Sequence, residues 1–334
     1  MKIPPARIGF FVFGLSAFVY LIAHFGVDRI AANIERAGWS LLTIVLIWFV
    51  IYLLNAAAWV LSLGENRNGL TFVRIFMLTV SGFVINYVTP FVALGGEPYK
   101  VNALTPSLGA RKSISAVVLY RMIHLLGHML ILLAGVIAAL IVLPLSLPLR
   151  ITLALSGIAV TAIIVATFLG HRHGVFRILQ PLLRKIPFLR KAGGKLESYG
   201  EQLREMDEAL TAPYHTARPK LLLAIFLEFV SRVCMGFEVY FILHGIGIEV
   251  GITGALFLYV LYSIVINLLF FIPLNLGARE GGLALGLGSL ALPPLLGVYL
   301  GVVMRIREFF WIMLGLLFML LSGEKKKPAP VGQA

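Results

Sequence analysis

The sequence predicts an all-α polytopic membrane protein with about eight full transmembrane helices and two broken or re-entrant segments, arranged as an inverted repeat. Composition predicts the class, because 60% of the 334 residues are hydrophobic and only 13% are charged. The mean hydropathy of +0.96 agrees with it. Two helix breaks with matched spacing predict the repeat. The apolar segments fill so much of the chain that a separate water-soluble domain is excluded.

Eight segments are apolar over roughly the 20 residues that a spanning helix needs. They cover residues 8–26, 40–63, 71–89, 113–143, 149–170, 219–244, 253–272 and 294–321. Two further segments, 90–107 and 273–291, either cross the membrane as half-helices or form shallow re-entrant loops. If they cross, the Lys and Arg residues outside the spans fall on one side, except Arg29, Arg36 and Arg150. Because Lys and Arg accumulate in cytoplasmic loops, we expect ten crossings with both termini in the cytoplasm.

Five crossings in each half invert the second half relative to the first. The predicted parts are membrane repeat A (1–143), membrane repeat B (144–321) and a cytosolic basic tail (322–334). Repeat B includes a basic amphipathic cytosolic loop at 171–218, and its first part is expected to lie on an anionic leaflet. The amphipathic helix that follows from Leu196 either links the halves or docks a partner. We expect the protein in the cell inner (plasma) membrane.

The two breaks carry the same residue types in the same order. In the first break 24 residues separate Glu97 from Arg121, and in the second 25 residues separate Glu280 from Arg305. A proline precedes each glutamate by seven residues. Proline removes a helical hydrogen-bond donor and glycine permits a close backbone approach. The residues that we assign to the breaks are Asn86, Pro90, Gly95, Gly96, Asn267, Pro273 and Gly277.

Ionisable side chains within the apolar segments indicate function, because burying them in a membrane is costly. Arg121 lies nine residues beyond Lys112, about 13 Å along a helix, so we expect it near the midplane with Glu97 as its partner. In the second break we expect Glu280 to be the partner of Arg305 in the same way. Glu97 and Lys100 share a helix face and are also expected to pair. The alternative is that such ion pairs only fix helix packing. Arginine suits phosphate oxygens, so a lipid head group is predicted to bind Glu97, Lys100, Arg121, His124, Arg279, Glu280, Arg305, Arg307 and Glu308.

The spacing of His124 and His128 would also allow a zinc site. The glutamate of a zinc-binding helix motif and a third ligand are both missing from this stretch. We therefore expect no metal and no cofactor, and we interpret His124 as a hydrogen-bonding group of the cavity. Glu228 and Arg232 lie four residues apart on another predicted span and are expected to form an ion pair.

Two separated motifs carry a family resemblance. They are Asn86-Tyr-Val-Thr-Pro90 with Gly95-Gly96-Glu97-Pro98-Tyr99-Lys100 and Tyr120-Arg121, and Ile272-Pro273 with Leu276-Gly277-Ala278-Arg279-Glu280-Gly281. These motifs resemble the flippase-like transmembrane region of lysylphosphatidylglycerol synthases, over nearly the whole chain. The resemblance implies movement of lysyl-phosphatidylglycerol between leaflets in the long members, which add a cytosolic aminoacyl-transferase domain. Asn275 departs from the pattern, in which small residues are usual at that place.

The chain ends shortly after Glu324-Lys-Lys-Lys-Pro, so we expect a stand-alone member without aminoacylation. The predicted function is translocation of an anionic or zwitterionic lipid, or a lipid-linked head group, without ATP hydrolysis, rather than catalysis. The alternative is a membrane subunit or enzyme of lipid, polyprenyl-phosphate glycan or hopanoid biosynthesis, for which an acidic Mg²⁺ site at the interface would be the signature. The one close acidic pair in a loop is Asp207-Glu208. Expected partners are phosphate-bearing membrane lipids and a lipid-biosynthesis enzyme, not nucleic acid.

Overall fold

A computed structural model describes residues 38–64, 69–88, 96–173, 217–270 and 277–321, with isolated residues 28, 35, 67, 201, 204, 208, 211, 272 and 275. Within these residues the chain forms helices and no strand, which confirms the all-α class. The helices are α1 (Trp39–Leu63), α2 (Phe72–Val88), α3 (Gly96–Leu108), α4 (Ala110–Val142), α5 (Leu147–His173), α6 (Arg218–Gly245), α7 (Ile252–Leu268), α8 (Ala278–Ser289) and α9 (Leu296–Leu321).

Three of the described helices, α1, α4 and α5, are both long and apolar enough to cross a bilayer. Helices α2 and α7 are apolar but shorter, with 17 residues each. Helices α6 and α9, with 28 and 26 residues, are long enough but contain several charged residues. The chain is therefore a multi-pass membrane protein. The predicted span 8–26 and nearly all of the basic loop 171–218 lie outside the described residues.

Helices α1 and α6 form the most extensive helix pair in the described bundle. Helix α2 packs on α9, and α4 packs on α7 and α6. The short helix α3 lies between α2 and α4, whereas the short helix α8 lies between α7 and α9. Helix α5 packs against α4 and exposes apolar side chains such as Leu155 and Ile158. An exposed apolar face of this kind suits contact with lipid.

A glycine brings α4 close to α6. A Cβ at Gly127 would lie 2.5 Å from the Cβ of Glu228, so a larger residue would force the two helices apart. Small residues at helix crossings are typical of membrane proteins, in which close backbone packing replaces the hydrophobic effect. The approach brings the polar groups of α4, including His124, within reach of Glu228.

Both predicted breaks separate helices. Helix α2 ends at Val88 and α3 begins at Gly96, whereas α7 ends at Leu268 and α8 begins at Ala278. Helices α3 and α8 have 13 and 12 residues, and at 1.5 Å per residue each reaches about 20 Å, less than the bilayer core. The predicted break residues Pro90, Gly95 and Pro273 lie outside the described residues.

The second break contains backbone in the left-handed region. Asn275 has φ of 52° and Gly277 has φ of 76°. Glycine adopts this conformation without strain, and asparagine tolerates it better than most residues. The asparagine that departs from the family pattern therefore fits the backbone geometry at its position.

Candidate functional site: a charged cavity in the helix bundle

A cavity of about 400 Å³ lies among all the described helices except α5. This volume is within the range of small-molecule sites, roughly 300–1,000 Å³. Its wall combines aromatic side chains with five cationic residues and two carboxylates among the described residues. The charged groups are Lys100, Arg121, Arg232, Arg279, Arg307, Glu97 and Glu308. Six of them, together with His124, were predicted to bind the substrate, and Arg232 was not.

Contacts of the Asn86 side chain stabilise the first break. Its Oδ1 accepts a hydrogen bond of 2.8 Å from the backbone N–H of Gly96, and its amide nitrogen lies 3.5 Å from Glu97 Oε1. A Cβ at Gly96 would lie 2.5 Å from the carbonyl oxygen of Gly82, so a glycine is required where α3 meets α2. The break thus directs Glu97 towards α4.

The expected ion pair of the first break is present. Arg121 Nη1 lies 3.5 Å from Glu97 Oε1, and the side chains are 43% and 17% exposed. Both residues lie on the cavity wall. The pair is therefore long, partly exposed and open to the cavity.

The expected ion pair of the second break is also present but has a different setting. Glu280 Oε1 accepts from Arg305 Nη2 at 2.8 Å and Nε at 3.2 Å, and Glu280 Oε2 accepts from the backbone N–H of Gly277 at 2.9 Å. The Arg305 side chain is only 1% exposed. A Cβ at Gly301 would lie 2.6 Å from Glu280 Oε1, so this glycine makes room for the carboxylate against α9.

Arg305 and Glu280 are not among the residues of the cavity wall, although the repeat predicted both as substrate-binding residues. The physical reason is that Gly301 lets the pair pack into the interface between α8 and α9. Arg121 and Arg305 are therefore equivalent in sequence spacing but not in exposure. Arg279 and Arg307, which do lie on the wall, provide the cationic groups of this half.

Two buried arginines of the wall are held by carboxylates. Arg279 Nη1 lies 2.8 Å from Glu308 Oε1. Arg307 Nη2 lies 2.8 Å from Glu238 Oε1, and the guanidinium carbon lies 3.7 Å from the centroid of the Trp48 ring. Trp48 Nε1 donates to Glu238 Oε2 at 2.9 Å. Glu238 therefore joins α1, α6 and α9, a role that the sequence interpretation missed although a carboxylate within a span was its signal.

A second buried carboxylate, Glu228, joins α1, α4 and α6. Its Oε2 accepts from Asn55 Nδ2 at 3.0 Å and lies 2.9 Å from His124 Nδ1, while its Oε1 accepts from the Tyr120 hydroxyl at 3.1 Å. The predicted pair with Arg232 is present at 3.9 Å, and the Arg232 guanidinium also contacts the His124 imidazole. Several donors on one carboxylate satisfy a buried charge that would otherwise be costly.

The two histidines have different partners. His124 contacts Glu228 and Arg232, whereas His128 Nε2 lies 3.2 Å from Asn267 Nδ2. The described residues contain no group of three side chains that could hold a metal ion. His124 lies on the cavity wall, as predicted for a hydrogen-bonding group.

The expected pairing of Lys100 with Glu97 is not formed. The Lys100 amine instead lies 5.2 Å from the Trp59 ring centroid and 5.3 Å from that of Tyr120. A Cβ at Gly82 would lie 2.4 Å from Lys100 Cε, so the lysine stem crosses α2 where no side chain blocks it. The stem therefore turns to the aromatic rings rather than to Glu97.

Several residues of the wall have a buried polar atom that makes no hydrogen bond within the described part of the chain. Among these atoms are the Tyr52 hydroxyl and Arg307 Nη1. Buried polar groups are usually satisfied, so these atoms are candidates for contact with a polar ligand.

The fold and the site define a multi-pass helical membrane protein with an internal cavity lined by charged side chains. The model of the family described as lysylphosphatidylglycerol synthase TM region matches residues 7–315, so the chain belongs to this family. The resemblance of the two motifs is thereby confirmed. No curated protein and no solved structure gives a significant match to the chain. Membership of this family relates the chain to membrane proteins that handle lipids.

Proposed function

We propose that this protein moves a phosphate-bearing lipid head group between the leaflets of the cell inner membrane, without ATP hydrolysis. The observation that carries the proposal is the cavity, whose described wall has five cationic side chains and two carboxylates within an apolar bundle. The hydrocarbon core offers no such polar surface to a head group. In this proposal the head group crosses through the cavity while the acyl chains remain in lipid.

An inverted repeat would let the cavity open first to one leaflet and then to the other. The helix contacts support such a repeat. If α1 to α4 correspond in order to α6 to α9, the contact of α2 with α9 corresponds to that of α7 with α4. The contacts of α3 with α4 and of α8 with α9 correspond in the same way. We propose that the two halves rock about the shared cavity, with both termini in the cytoplasm.

We propose that Arg121 exchanges Glu97 for the phosphate of the lipid during transport. Its contact with Glu97 is 3.5 Å long and partly exposed, whereas the Arg305–Glu280 contact is 2.8 Å and buried. A phosphate offers Arg121 two oxygens in the geometry that a guanidinium prefers. Exchange of Glu97 for a lipid phosphate would therefore cost little, because the resting pair is weak.

The test is a leaflet-exchange assay in proteoliposomes with fluorescent phosphatidylglycerol and a membrane-impermeant quencher. Native protein should exchange the lipid faster than empty vesicles do. Arg121→Lys keeps the charge but loses the two-pronged contact, and we expect it to slow exchange about tenfold, the effect of roughly 1.4 kcal/mol. Arg150→Lys, at an exposed residue that is not on the wall, is the matched control.

The proposal fails if native protein cannot be distinguished from empty vesicles with phosphatidylglycerol, phosphatidylcholine and polyprenyl phosphates. In that case the enzyme-subunit alternative gains support. Equal slowing by the Arg121 and Arg150 variants would show that Arg121 has no special part in transport.

A further inference from the structure

The buried and cavity-facing charges of the described residues do not balance. Each buried or cavity-facing arginine has a carboxylate partner: Arg121 with Glu97, Arg232 with Glu228, Arg279 with Glu308, Arg305 with Glu280 and Arg307 with Glu238. These pairs use all the carboxylates of the described spans. Lys100 is the cation left over, and no ion pair or hydrogen bond joins it to another described residue.

Lys100 is nevertheless buried, and it is one of the residues of the cavity wall. The residue is 7% exposed. Its amine lies near the faces of Trp59 and Tyr120, whose rings stack with centroids 5.0 Å apart and planes 16° apart. Aromatic faces attract the positive charge but accept no conventional hydrogen bond, so the three N–H donors of the ammonium remain available.

We propose that Lys100 binds the phosphodiester of a lipid head group with a net charge of −1, an inference that rests on the proposed function. One anionic phosphate would balance the single excess positive charge of these buried and cavity-facing residues. A zwitterionic head group would bring its own amine and leave the excess uncompensated. Arg121 and Asn86 lie on the same wall and supply further donors. The site therefore selects a phospholipid such as phosphatidylglycerol over phosphatidylcholine.

The experiment uses the full chain purified in detergent and exposed to equal amounts of phosphatidylglycerol and phosphatidylcholine. Native mass spectrometry then counts the lipid of each kind that stays bound. We expect native protein to prefer phosphatidylglycerol about tenfold, the order of effect of one charged hydrogen bond. Lys100→Met should lose this preference, and Lys100→Arg should keep it. Lys112→Met, at an exposed lysine of α4 that is not on the wall, should also keep it.

A further variant moves the amine without removing its charge. Gly82→Ala places a Cβ only 2.4 Å from Lys100 Cε, so the lysine stem must shift. We expect a severalfold loss of the preference for phosphatidylglycerol, and this holds as a test even if Lys100→Met fails to fold. An undiminished preference in folded Lys100→Met or in Gly82→Ala would overturn the inference.

A third experiment asks whether Lys100 binds the phosphate of a lipid or a free phosphate ion. Inorganic phosphate at millimolar concentration should not displace phosphatidylglycerol; displacement would overturn the lipid assignment. Leaflet exchange with the same preparations separates this inference from the proposed function. If both lipids are exchanged and neither is preferred in binding, the role of Lys100 is overturned but the proposed transport is not. If the binding preference depends on Lys100 but no lipid is exchanged, the role of Lys100 is supported and the proposed transport is contradicted.

Discussion

Glu280→Gln should destabilise the protein much more than Glu97→Gln, although the two glutamates have matched positions in the two breaks. Glu280 holds Arg305, which is 1% exposed and donates to it twice, at 2.8 and 3.2 Å. Glu97 holds Arg121 at 3.5 Å, and that side chain is 43% exposed. Only the first substitution strands a fully buried guanidinium.

The magnitudes follow from these surroundings. Leaving one buried partner without its counter-charge costs about 3–5 kcal/mol, so Glu280→Gln should lower the free energy of unfolding by that amount. A partly exposed pair contributes about 0–1 kcal/mol, which is the loss expected for Glu97→Gln. The two single variants should therefore differ by roughly 3 kcal/mol.

The assay is reversible unfolding by sodium dodecyl sulfate from mild detergent, followed by circular dichroism. A double-mutant cycle adds Arg305→Gln and the combined variant, because a pair in contact shows non-additive losses. The combined variant should recover at least half of the loss caused by Glu280→Gln, since no charge is then stranded. Equal losses for the two glutamine variants, or strict additivity in the cycle, would refute the reasoning.

Two further predictions concern particular contacts, and a third concerns the topology. Trp48→Phe removes a hydrogen-bond donor from the buried carboxylate of Glu238 and should lower the free energy of unfolding by about 1–3 kcal/mol. The control Trp39→Phe, at an exposed residue, should lower it by under about 0.5 kcal/mol. Equal losses would argue against the hydrogen bond. The Cβ added by Gly127→Ala would lie 2.9 Å from the backbone of Glu228, and the substitution should lower the free energy of unfolding by about 1–3 kcal/mol. The Cβ added by Gly281→Ala would have no atom within 4 Å, so this control should be neutral or stabilising in the same unfolding assay. The reverse order would contradict the close approach of α4 and α6. The ten-crossing topology places residue 295 outside the cell and residue 218 in the cytoplasm. After the native cysteine is replaced by Ser, a cysteine at Leu295 should therefore react with a membrane-impermeant thiol reagent in intact cells, and one at Arg218 should not. Labelling at Arg218 would reject the ten-crossing topology.

The sequence was sufficient for the all-α class and for the two ion pairs of the breaks. Prolines, glycines and matched spacing place Glu97 near Arg121 and Glu280 near Arg305 by local geometry alone. Local geometry does not determine which pair faces a cavity. That depends on Gly301, which lets Glu280 pack against α9.

The remaining site depends on helices that are distant in sequence. Trp48 and Glu238 are 190 residues apart, and no spacing rule connects them. Lys100 shares a helix face with Glu97, so pairing was the reasonable expectation from sequence. Its actual position depends on a glycine of α2 and on aromatic rings of α1 and α4, which only the packed bundle brings together.

The most direct test asks whether the head group passes through the cavity. In a protein whose native cysteine is replaced by Ser, Ile266→Cys puts a thiol on the cavity wall, and Leu285→Cys puts one at an exposed residue of α8 that is not on the wall. Each protein is labelled with a bulky, negatively charged thiol reagent, and exchange of fluorescent phosphatidylglycerol is measured in proteoliposomes. If the head group passes through the cavity, labelling at 266 abolishes exchange and labelling at 285 leaves it unchanged. Undiminished exchange with position 266 fully labelled would contradict passage through the cavity.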